Sequence, residues 1–213
     1  MVKRGLSRDR LVDIAHDYVG AHGLDALTMR RLASAAQVTP GALYKHLRDR
    51  KDLRRAMADA IYRTIDLTDL DLDHPTVEQV VACCERMRAA MLGFRDGGRI
   101  VAGSYSPFAA TSALSTVLRT LLREVVEPPH TPGDLASVLR SYTTGFVIEE
   151  QAYLELAHDG EWEGLLEDLA GNGFARVDES GDIIAIMTGD RDLRFTAGLR
   201  SILTGTVSSE PGV

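Results

Sequence analysis

Apolar residues recur every three or four positions along most of the chain, and interruptions of that rhythm mark off a series of helices. An opening helix over residues 7–19 would bury Leu11, Ile14, Ala15 and Tyr18, with His22-Gly23 ending it. Met29, Leu32, Ala33 and Ala36 form a second apolar stripe, and Thr28 before it is an N-cap. Thr39 caps a third helix, with Pro40 at the first helical position, where its missing N–H is not needed. Leu43 and His46 continue the inner face there and leave Gly41, Ala42 and Lys45 outward. Gln37 occupies the intervening turn, where a left-handed backbone costs a non-glycine residue roughly 1 kcal/mol.

A longer helix begins near Lys51, and Asp73-His74-Pro75 breaks the chain after it. Residues 77–92 are amphipathic, and Gly93 with the Arg-Asp-Gly-Gly-Arg turn at 95–99 terminates them. A short helix or turn is expected at 100–103, and Pro107 opens another helix to about residue 126. Asp134, after a proline-rich connection, is the expected cap of a long helix to about residue 158. The polar, acidic span 159–189 holds one short helix over 162–169. A last helix over 191–207 would bury Leu193, Ala197, Leu199, Ile202 and Leu203. The class is all-α: an N-terminal helix-turn-helix three-helix domain (residues 1–66) and a C-terminal helical bundle (residues 67–213).

Two short helices with small residues facing outward suit the major groove, although αα-hairpins that touch no nucleic acid share the periodicity. Charge favours nucleic acid. Residues 1–63 carry 13 Lys+Arg against 7 Asp+Glu, a net of +6, and the remainder carries 11 against 24, a net of −13. A basic head can neutralise phosphates while an acidic body stays clear of them. Lys3, Arg4, Arg8 and Arg10 would extend the head as a basic arm. No apolar run reaches the about eighteen residues needed to span a membrane, and the start lacks a signal-peptide core. Adjacent Cys83 and Cys84 suit no ordinary disulfide framework, so a reduced, cytoplasmic setting is expected. Glu155 and His158 have the Glu-x-x-His spacing of di-iron bundles, but no second copy accompanies them. No enzymatic constellation, cofactor motif or metal-ligand set emerges; a helical-bundle enzyme is a remote reading.

The string LTMRRLA…GALYKHL and its flanks, over residues 6–62, resemble the DNA-binding domain of the TetR family of regulators. That resemblance implies a dimeric repressor, released from a palindromic DNA operator by a small-molecule inducer. An activator, or a regulator sensing a protein partner, is the alternative. The resemblance implies Arg30 as a base-reading contact, with Thr39, Pro40, Gly41 and Ala42 lining the groove and Lys45 bearing on operator choice. Thr28, Tyr44, His46, Arg50 and Lys51 are implied as phosphate contacts or their supports. FRDGGRIVAG (94–103) and YTTGFVIEEQAY (142–153) resemble the tetracycline-repressor-like subclass. The helices over 137–156 and 191–207 would then form a four-helix homodimer interface, and the 95–103 segment would relay ligand binding to the head. The implied ligand residues are Asp66, Cys83, Met87, Val101, Ser104, Tyr105, Phe146 and Glu149, forming a largely apolar pocket. Val101 stands where that subclass places a magnesium-binding histidine, and a valine cannot coordinate a hard cation. A hydrophobic inducer other than a magnesium–tetracycline complex is expected.

Overall fold

A computed structural model describes residues 6–169 and 189–205, and every regular element among them is a helix. Helix α1 (Arg8–His22) is capped by Ser7, ends at Gly23 (φ 78°), and buries Leu11, Val12, Ala15 and Val19. The stripe is thus rotated from the expected one, leaving Ile14 and Tyr18 half-buried at its edge. Helix α2 (Met29–Ala35) has Thr28 as its cap, the hydroxyl accepting from the Arg31 amide. Gln37 does take the left-handed turn conformation, at φ 55°. Helix α3 is a single turn, Pro40–Leu43, capped by Thr39. Leu43 and Leu47 are both fully buried and anchor it to the head.

Helix α4 (Arg50–Arg63) connects the head to the body. It packs against α1 on one side and, on the other, against the next three helices, α5 (Val77–Leu92), α6 (Gly97–Val101) and α7 (Ala109–Leu121). A capping box between Thr76 and Gln79 opens α5. Helix α8 (Pro132–Asp159) runs through the middle of the body and contacts α5, α6 and α7. Its cap is Thr131 with Pro132 at the first position; Asp134, the expected cap, instead accepts from the Thr131 hydroxyl at 2.6 Å. Helices α9 (Trp162–Leu169) and α10 (Arg191–Thr204) complete the described part. Lys3, Arg4, most of the acidic 159–189 span and the end of the 191–207 helix lie outside it.

Helix α6 occupies 97–101 and not 100–103, despite two glycines that disfavour a helix. Packing explains it. A Cβ on Gly97 would sit 2.0 Å from the Met91 carbonyl oxygen, and one on Gly98 would sit about 3 Å from Val147 and Ile148. The Gln151 side chain fixes this approach, accepting from the Gly98 amide (3.1 Å) and donating to the Phe94 carbonyl (2.7 Å). Helix α7 is likewise shorter than expected, because Pro107 and Phe108 precede it and it ends at Leu121.

A buried polar knot joins α5, α8 and α10. Arg88 donates from Nε and Nη2 to both Glu150 oxygens (2.8 and 2.7 Å), and from Nη1 to Asp192 (2.6 Å). Its guanidinium lies over the rings of Phe195 and Phe146, at 5.2 and 5.5 Å.

Candidate nucleic-acid interface and ligand cleft

The outer surface of α2 and α3 presents Thr28, Arg30, Thr39, Pro40, Gly41, Tyr44 and Lys45 to solvent, with Arg50 and Lys51 exposed beside them at the start of α4. Ala42 and His46 are half-buried. Nothing lies within 4 Å of a Cβ added at Gly41, so the bareness of that position answers no need of the fold. His46 contributes its carbonyl, which accepts from Arg8 at 3.0 Å.

Arg8 is not an arm. Its guanidinium grips buried Asp52 through both oxygens (3.0 and 2.8 Å), locking α1 to the start of α4. That pairing, with the Arg48 amide donating as well, holds the Asp52 carboxyl well below the usual carboxylate range. These bonds tie α1 and the residues after α3 to the start of α4.

Farther along, α4 is wired to the body. Arg54 of α4 donates to the carbonyls of Ile100 (3.1 Å), Ala102 (2.6 Å) and Arg99, the orphan acceptors at the end of α6. Arg55 donates to the Ser104 carbonyl in the following turn (3.2 Å). On the far side of α6, Asp96 accepts from the Leu24 amide at 2.8 Å, and Arg99 pairs with both oxygens of Asp25 at 2.9 Å. Segment 95–103 therefore touches the head at both ends.

The sequence-predicted ligand residues do not converge. Met87 and Tyr105 line a cleft of about 450 Å³ with Tyr62, Leu114, Leu118 and Arg140. Phe146 and Glu149 line a different hollow of about 520 Å³ with Tyr142, Tyr153 and Arg194. Asp66 is exposed and turned back on its own loop, accepting from the Thr68 amide and hydroxyl. Cys83 is fully buried in the core, where burial pushes its thiol up to about 11. Val101 is buried within α6, and Ser104 engages α4 through its backbone. The cleft also departs from the expected apolar pocket: Ser106, Ser112, Ser115 and Ser137 line it together with Arg119 and Arg140.

A magnesium site finds no support in these residues. Val101 offers no donor, Glu149 faces the other hollow, and among the described residues no three His, Cys, Asp or Glu side chains gather into a metal-binding group. Glu155, half of the Glu-x-x-His pair, accepts instead from Arg95 at 2.8 Å. Tyr62, Arg140, Arg54 and Arg55 were not singled out from the sequence. The signal for the last two was a pair of arginines halfway along a helix otherwise dense in apolar residues.

Residues 11–57 match the family described as bacterial regulatory proteins, tetR family, and residues 74–208 match the tetracyclin repressor-like C-terminal domain. The chain is 31% identical over 206 residues to the class A tetracycline repressor protein from transposon 1721 of Escherichia coli, spanning 94% of this chain and 90% of that protein. A possible TetR family transcriptional regulator from Streptomyces coelicolor A3(2) superposes with a TM-score of 0.79 at 30% identity, covering 93% of this chain and 98% of that one. The Streptomyces coelicolor TetR family protein ActR in complex with actinorhodin superposes at 0.69 with 25% identity, covering 96% of each chain. With its helix-turn-helix head and its body both matched, the chain belongs to the TetR family of bacterial regulatory proteins, with a tetracycline-repressor-like C-terminal domain.

Proposed function

We propose that this chain is a homodimeric, cytoplasmic repressor that leaves a palindromic DNA operator when a small organic molecule, not a magnesium–tetracycline complex, enters its body. Residues 1–66 form the reading head and residues 67–213 the ligand and dimerisation domain. The observation that carries the reading is the arginine link from α4 to α6. A helix that bears an exposed basic face at one end donates hydrogen bonds, farther along, to the segment beside the ligand cleft. The ActR complex, whose ligand is named as actinorhodin, supports a small-molecule role for the body.

In this reading Arg30 contacts a base edge, Thr39, Pro40, Gly41 and Ala42 approach the groove floor, and Lys51 and Arg50 meet phosphates. Dimerisation through α8 and α10 sets two heads about one DNA turn apart, roughly 34–36 Å. A ligand that binds better to the state with α6 displaced draws Arg54 and Arg55 with it and changes that spacing.

Fluorescence-anisotropy titration of the purified protein against its own upstream intergenic duplex and a scrambled duplex, at two salt concentrations, tests the reading. Selective binding of one dimer per site is expected, with no release by tetracycline plus magnesium. Equal, steeply salt-sensitive binding to both duplexes would count against it, since a basic surface alone behaves so.

A further inference from the structure

We propose that the cleft between α4, α5, α7 and α8 selects an amphiphilic organic anion, with Arg140 pairing its acid group and the apolar floor taking its body. This deepens the regulator reading above and rests on it.

Met87, Leu114, Leu118 and Ala136 are buried and form the floor. The rim is hydroxyl-rich and doubly cationic, with Arg119 and Arg140 in the lining and no carboxylate among the lining residues. Asp59, behind Thr111, is already taken up by the Thr111 amide (2.9 Å) and hydroxyl (3.0 Å), with Arg63 at 3.5 Å. Arg140 is half-buried on α8, makes no hydrogen bond or ion pair with another described residue, and lies over the face of Tyr105, 5.5 Å from the ring centroid. A guanidinium so placed has given up part of its hydration without gaining a counter-charge, which favours an incoming anion.

A second observation falls in the same wall. The Tyr62 hydroxyl is buried without a hydrogen-bond partner, a costly state for a polar group. Burial pushes its phenol up to about 12, while Arg140 acts in the opposite direction. It therefore remains a neutral donor, suited to an oxygen of the same ligand. The volume, about 450 Å³, suits a molecule of two or three fused or linked rings or an equivalent chain. Tyr105 adds a consequence. It is 72% exposed and held at φ 38°, one residue beyond Ser104, whose carbonyl Arg55 grips. An anion that takes Arg140 from the Tyr105 ring loosens the turn to which α4 is attached.

The test uses two fluorescent probes that differ chiefly in one acid group, 8-anilinonaphthalene-1-sulfonate and neutral N-phenyl-1-naphthylamine, titrated into the full-length protein. The sulfonate is expected to bind about tenfold more tightly than the neutral probe, at one per subunit. Arg140→Gln should abolish that preference while leaving the neutral probe unaffected, and Arg140→Lys should restore part of it. Equal affinity of the two probes, or a sulfonate preference that survives Arg140→Gln, overturns the proposal. Should Arg140→Gln fail to fold, as judged by circular dichroism, the wild-type comparison and Arg140→Lys still decide. Operator binding is scored separately on wild-type protein without probe. Loss there with the anion preference intact refutes the regulator reading alone, and the converse refutes the ligand class alone.

Discussion

Replacing Arg88 by Met isolates what the polar knot contributes. The side chains of Arg88 and Glu150 are 10% and 8% exposed, so methionine fills much of the volume but leaves a carboxylate in an apolar site. The lost interactions are two charge-assisted hydrogen bonds to Glu150, one to exposed Asp192, and contacts with two aromatic faces. Breaking a buried pair from one side costs about 3–5 kcal/mol, and the Asp192 contact adds little because that side chain is 85% exposed. Urea unfolding at fixed protein concentration would show this as a midpoint lowered by about 1–2 M. Arg88→Met with Glu150→Leu should recover most of the loss, since an apolar replacement of the whole pair is often neutral. A loss below about 1 kcal/mol, or a double variant as unstable as the single one, would refute the view of this knot as a buried, mutually dependent pair.

Other positions give sharper functional contrasts. Gly41→Ala should leave stability unchanged or raised by up to about 1 kcal/mol, because the new methyl meets nothing, yet weaken operator binding if α3 lies close to the groove floor; unchanged affinity in anisotropy would argue against that close approach. Gly97→Ala drives a methyl into the Met91 carbonyl, so thermal unfolding should show a loss of about 1–3 kcal/mol. Asp52, whose folded pKa is depressed by Arg8, contributes stability above its unfolded pKa that is lost as pH falls through the lower folded value. Acid unfolding should therefore be less steep in Asp52→Asn, by about 1–3 kcal/mol between pH 5 and pH 2. Lys51→Ala should weaken binding to all duplexes alike and flatten the salt slope, whereas Arg30→Ala should relax specificity at a cost of about 1–3 kcal/mol.

The head was legible because its signals are local. Thr28, Thr39 and Pro40 declare helix starts through hydrogen bonds within three residues, and α5 and α9 occupy the limits their periodicity indicates. The division of the candidate ligand residues between two hollows was not legible, because α8 serves two faces at once. At about 100° per residue, Ala136 and Arg140 turn toward the cleft while Tyr142, Phe146, Glu149 and Tyr153 turn toward the other hollow. No count along a 28-residue helix says which partner covers which stripe. Arg8 and Asp134 show the same limit in miniature: a basic end and an acidic cap were reasonable by type, and partners distant or near in sequence redirected both.

Helix α6 has only five residues, and the acceptors at its end are supplied with donors by a side chain from α4. Such a segment borrows its structure. The body taken alone, cut off before residue 64, would lose the α4 wall of the cleft with Tyr62, and Arg54 and Arg55 with it, so that the last turn of α6 would face water. Affinity measured on that fragment would belong to a different conformational equilibrium. On the proposed reading the coupling in the intact protein is reciprocal: the factor by which the ligand lowers operator affinity is the factor by which the operator lowers ligand affinity, so DNA would itself be an effector of the sensor.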